Sequence, residues 1–123
     1  MLISSYNPIT YYHTNINNAK NLSSLTIAGI SSISGAYNFS LPSSGPDMRL
    51  DLGKAKFTNM PATQGGKTAP TVKYIILPET MTSMPTLTSY VNLSSVFVPS
   101  NIRGFNVNAF RTMKNLSAGG ILF

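Results

Sequence analysis

The chain has 123 residues, 42% of them hydrophobic and 10% charged, a formal net charge of +6 and no cysteine. That length suits one domain, the apolar content excludes a wholly disordered chain, and the missing thiols exclude disulfides and thiolate metal sites. The nine Lys and Arg residues are scattered and no base-reading motif accompanies them, so the charge does not describe a nucleic-acid footprint. In chain order, residues 1–20 come first, with Tyr6, Pro8, Ile9, Tyr11 and Tyr12. They show no clear repeat, no membrane span and no signal-peptide pattern, and are expected to form an N-terminal cap or arm.

From residue 21 to 123 a phrase recurs. Asn21-Leu22-Ser23-Ser24-Leu25-Thr26-Ile27 returns as Asn92-Leu93-Ser94-Ser95-Val96-Phe97-Val98, and in degraded form at Asn115-Leu116-Ser117. Between the copies lie Asp47-Met48-Arg49-Leu50-Asp51-Leu52 and Val72-Lys73-Tyr74-Ile75-Ile76-Leu77. With Leu25 as phase marker the equivalents are Leu50, Ile75, Val96 and Gly119, spaced 25, 25, 21 and 23 residues. A period in that range marks a solenoid, in which each repeat buries its apolar face only against its neighbours.

The repeats supply three inward columns. The first holds Leu22, Val72, Leu93 and Leu116, with Asp47 out of character. The second holds Leu25, Leu50, Ile75 and Val96, with Gly119 out of character. The third holds Ile27, Leu52, Leu77, Val98 and Ile121. The last two columns lie two residues apart and therefore share one face of a strand. Pro78 and Pro99 end their strands. Ile30 and Ile33, Phe57 and Met60, Met81 and Met84, and Ile102 and Phe105 form the opposite wall. Tyr37, Phe39, Leu87, Tyr90, Phe110 and Met113 fill in behind, with Asn108 capping one helical turn. Residues 61–70 are a loop by composition. The expected architecture is a right-handed repeat solenoid of α/β type. It has about five rungs over 21–123, one short parallel sheet, and an opposite side that is irregular or single-turn helical.

The run Leu93-Ser-Ser-Val-Phe-Val-Pro-Ser-Asn-Ile102-Arg-Gly-Phe105, followed by Ala109-Phe110 and then Asn115-Leu116, resembles the BspA-type leucine-rich repeat. The resemblance is specific over 72–123 and looser over 21–71. Met113, Lys114 and Asn115 stand where that family commonly carries a cysteine. The resemblance implies a secreted or surface-displayed protein that adheres to host proteins or other cells.

Chemistry-bearing clusters are sparse. Asp47 and Asp51 flank Arg49 and suit an exposed ion cluster better than an acid–base pair. His13 has no second ligand nearby, so no metal site is expected. Gly65-Gly66-Lys67-Thr68 lacks the earlier glycine of a phosphate loop, and Pro70 forbids the helix that would follow. Sequons occur at Asn21, Asn38, Asn92 and Asn115. Three of them belong to the repeat phrase, where asparagine bonds backbone at the turn into the strand. No catalytic residue and no cofactor is assigned.

The outward strand positions form two further columns. One runs Ser24, Arg49, Tyr74, Ser95, Ala118, and the other Thr26, Asp51, Ile76, Phe97, Gly120. Tyr74, Ile76 and Phe97 break an otherwise polar face, with Arg49 and Asp51 beside them. Clustered apolar surface marks an interface, unless the N-terminal segment covers it. The expected function is a non-enzymatic binding or adhesion module, extracellular or at the cell surface, with a protein or glycan partner. The alternative is a structural subunit of a phage particle or surface filament. The apolar Ile121, Leu122 and Phe123 are expected to be covered by a partner, another copy or further repeats, with Gly119 and Gly120 letting the tail swing away.

Overall fold

A computed structural model describes residues 1–4, 10–12, 16, 19–34, 41–61, 67–104 and 113–123. The strands are β1 (Leu2–Ser4), β2 (Thr10–Tyr12), β3 (Ser24–Ala28), β4 (Ser32–Ser34), β5 (Met48–Asp51), β6 (Val72–Ile76), β7 (Ser95–Phe97) and β8 (Ile121–Leu122). Six of them form one all-parallel sheet in the order β1-β3-β5-β6-β7-β8, and β2 and β4 form a second parallel pair. Sheet order follows chain order, with one coil of chain between successive strands, so the molecule is a parallel-strand β-solenoid.

The strands form where β-branched and other large apolar residues alternate with outward ones. Leu25, Ile27, Leu50, Leu52, Ile75, Leu77, Val96 and Val98 are all sealed from solvent, as the column pattern requires. On the opposite wall Ile30, Phe57, Met81, Leu87 and Tyr90 are buried, and Met60, Met84 and Ile102 pack against them half-buried. Tyr37, Phe39, Phe105 and the turn Asn108-Ala109-Phe110 lie outside the described residues, as do the side chain of Ile33 and His13.

Four expectations need correction. First, residues 1–20, which show no repeat in the sequence, supply a strand of the main sheet: Leu2–Ser4 pairs with β3 (Leu2 with Thr26, Ile3 with Ile27). Thr10–Tyr12 likewise pairs with β4. The main sheet thus has six strands where five were expected, and the opposite side carries a small sheet of its own. Second, Met48, not Asp47, fills the first inward column: it is buried and aligned with Val72, with a register shift between Met48 and Arg49. One residue is missing from that repeat, and the strand absorbs the deficit as an irregularity.

Third, Ile121 and not Gly119 aligns with Val96, and Leu122 aligns with Phe97. The last step is therefore 25 residues, the same as the first two. Fourth, Gly119 and Gly120 do not release the tail. With Ala118 they form a 3₁₀ turn that feeds β8 into the sheet. A side chain at Gly120 would collide with the Ser94 carbonyl, so only glycine allows this approach.

The coils are tied at their corners. The turns into β3, β6, β7 and β8 are closed by the same bond three residues back, from Leu22 to Ala19, Val72 to Ala69, Leu93 to Tyr90 and Leu116 to Met113, whereas at β5 the Met48 N–H donates to Thr71 of the next coil. Within that turn the residue before the first column can reach the preceding coil. Asn92 Nδ2 donates to the Pro70 carbonyl at 2.9 Å, and Thr71 Oγ1 donates to the Pro42 carbonyl at 3.1 Å. The nitrogen a glycan would need at Asn92 is thus engaged, whereas Asn21 and Asn115 are exposed. Past the strands, backbone bonds continue from coil to coil, as in Glu79 N–H to Gly53 and Arg103 N–H to Thr82.

Candidate binding face

The outer face of the sheet is built by strand alternation. Ser24, Arg49, Tyr74 and Ser95 stand in one row through the pairings of β3, β5, β6 and β7. Thr26, Asp51, Ile76, Phe97 and Leu122 stand in the next, with Leu2 at its head. Leu122 takes the place that the sequence pattern gave to Gly120. The 25-residue step would have found it, had Ile121 been chosen as phase marker in place of Gly119.

Tyr74, Ile76 and Phe97 are half-buried, and Leu122 is 42% exposed. The apolar patch therefore spans β6, β7 and β8. Arg49 lies over the Tyr74 ring, its guanidinium carbon 5.5 Å from the ring centre. It is not part of an ion cluster with the two aspartates, which corrects the expected arrangement. Asp51 accepts the Gly53 N–H at 3.0 Å and closes the turn after β5, while Asp47 is exposed. The ion pair among the described residues is Lys54 with Glu79, at 3.1 Å, with both side chains more than half exposed. Such a pair contributes about 0–1 kcal/mol.

The strand nearest the N-terminus does not lie over this patch. β1 is the far edge of the sheet, beyond β3, while the patch occupies the three strands at the other edge. Among the described residues, the exposed large apolar side chains are Met1, Leu2, Leu122 and Phe123, all at the two edges. Among the described residues no three His, Cys, Asp or Glu side chains gather as a metal site, and no helix is long and apolar enough to cross a membrane. Tyr90 is fully buried and its hydroxyl has no hydrogen-bond partner; burial pushes its ionisation well above the usual tyrosine range.

No family profile, curated protein or solved structure matches this chain.

Proposed function

We propose that the chain is a non-enzymatic interaction module whose outer sheet face binds a protein or glycan partner. The observation that carries this reading is the apolar and aromatic patch of Tyr74, Ile76, Phe97 and Leu122 on a face that, between that patch and Leu2 at the far edge, is built of Ser, Thr, Arg and Asp. Partly exposed aromatic and aliphatic groups on a rigid sheet lose little side-chain entropy on contact, and a neighbouring arginine adds a directional donor. Tyr74 and Phe97 serve as anchors, Ile76 fills between them, and Arg49 and Asp51 form the polar rim.

The likeness of residues 72–123 to BspA-type leucine-rich repeats supports an adhesive role outside the cell, with the partner on a host or cell surface. A panel of immobilised extracellular-matrix proteins and glycans tests it. Retention of the chain by a panel member, lost in Phe97→Ser and Ile76→Thr but kept in Lys56→Ala, is expected. Equal retention of all three variants would remove the face from the reading. A structural subunit of a filament or phage particle is the second reading, and the apolar side chains at both sheet edges favour it.

A further inference from the structure

We infer that copies of this chain stack head to tail, with β8 of one copy pairing in parallel with β1 of the next. The inference bears on the filament reading but does not depend on it, nor on the binding face.

Among the described residues, β1 and β8 are the two edges of the six-stranded sheet. An apolar edge strand is a template for further pairing unless charge, proline or a covering segment blocks it. At these edges stand Leu2, 65% exposed, and Leu122, 42% exposed, flanked by Met1 and Phe123. Neither edge strand carries a charged or proline residue.

The two edges are complementary in register. Inside the sheet, the core residue of each strand donates to the outer residue of the next: Leu52 to Ile76, Leu77 to Phe97 and Val98 to Leu122. At the other end, Thr26 N–H meets the Met1 carbonyl at 2.9 Å, which turns Met1 towards β3. Alternation along a parallel ladder then turns the Leu2 N–H and carbonyl away from β3, and the Ile121 carbonyl away from β7. A second copy whose Leu2 N–H donates to the Ile121 carbonyl supplies the return half of the same parallel ladder, in which the outer residue of one strand donates back to the preceding core residue of its neighbour.

In that register Leu2 of the second copy stands over Leu122 and lengthens the outer row of Ile76 and Phe97. Met1 stands over Ile121 in the column of Leu25, Leu50, Ile75 and Val96. Ile121 is only half-buried where Ile75 and Val96 are sealed, so the stack completes a column that the single copy leaves open. The contact joins unlike surfaces, so it does not close on itself and copies add without limit. The net charge of +6 opposes stacking, and salt screens that repulsion.

The test is sedimentation velocity with light scattering on the full chain, from low micromolar to near-millimolar, at low and high salt. Mass is expected to rise with concentration past the dimer, and more so at high salt. Leu2→Lys and Leu122→Lys each block one edge, so each alone should be monomeric. Mixed, they should form a one-to-one dimer through the edges left intact. Should either lysine variant lose the wild-type circular dichroism, Leu2→Asp and Leu122→Asp replace it, since Asp51 already occupies that row and a charge still blocks the edge. A wild-type monomer under all conditions overturns the inference. So does a Leu2-substituted chain that still self-associates, because that contact would join like edges.

Discussion

β6 and β8 are copies of one strand design placed in different surroundings. In β6, Ile75 is sealed between Leu50 and Val96, and Val72 and Leu77 are sealed with it. In β8, Ile121 has Val96 on one side only and stays half-buried, as does Leu116 before it. Both isoleucines have the same side chain and the same register. The difference lies in the number of neighbouring coils, which in a solenoid sets how much of a residue's apolar area leaves water.

The comparison is sharpest under truncation. Ile75→Ala should cost about 2–5 kcal/mol, whereas Ile121→Ala should cost roughly 1 kcal/mol, measured by denaturant or thermal unfolding. Equal costs at dilutions where the chain is monomeric would mean that the C-terminal coil is as well covered as the centre. Gly120→Ala drives a methyl group against the Ser94 carbonyl and should cost about 1–3 kcal/mol, with faster exchange of the Val98 amide, which donates to Leu122. Gly119→Ala meets only the Ser117 hydroxyl, at van der Waals distance, and should leave that amide protected.

A smaller contrast separates the asparagines. Asn92→Ala removes the bond to Pro70 in the central corner and should cost about 1 kcal/mol. Asn115→Ala, at the exposed final corner, should stay within about 0.5 kcal/mol of wild type. Smallest is Tyr90→Phe. The hydroxyl is buried without a partner, so its removal should leave stability unchanged or raise it by up to about 1 kcal/mol. Tyr90 ionises later in the folded chain than in the unfolded one, so above about pH 10 the folded state holds the extra proton and stability falls as pH rises. That part of the fall should vanish in Tyr90→Phe; an identical slope in both proteins would show that the ring reaches water.

Repetition was what made the fold legible. Where a repeat kept its full length, as at residues 22–27, 72–77 and 93–98, counting residues gave both burial and register. Where the step from the first column to the second lost one residue, as at Met48, or gained two, as before Ile121, counting failed. The Met48 irregularity and the 3₁₀ turn at Ala118–Gly120 both shift the phase by local backbone geometry, which periodicity does not encode. β1 stayed hidden because Met1-Leu2-Ile3 is too short a run to show a period. The candidate face followed the same rule: Tyr74, Ile76 and Phe97 were visible as outward residues, while Leu122 entered the row only through the turn before β8. The pairing of Arg49 with a ring was out of reach, since charge pattern alone pointed to Asp47 and Asp51.

The sequence by itself determined which residues face inward where the repeat keeps its spacing, and that the coils stack in parallel. Alternation and a period near 25 residues leave no other way to bury those columns. Tertiary structure alone decided where the stack begins and how its last coil docks. It also decided which outer residues become neighbours, because those depend on close contacts between coils, such as Gly120 against Ser94, that strand alternation does not specify.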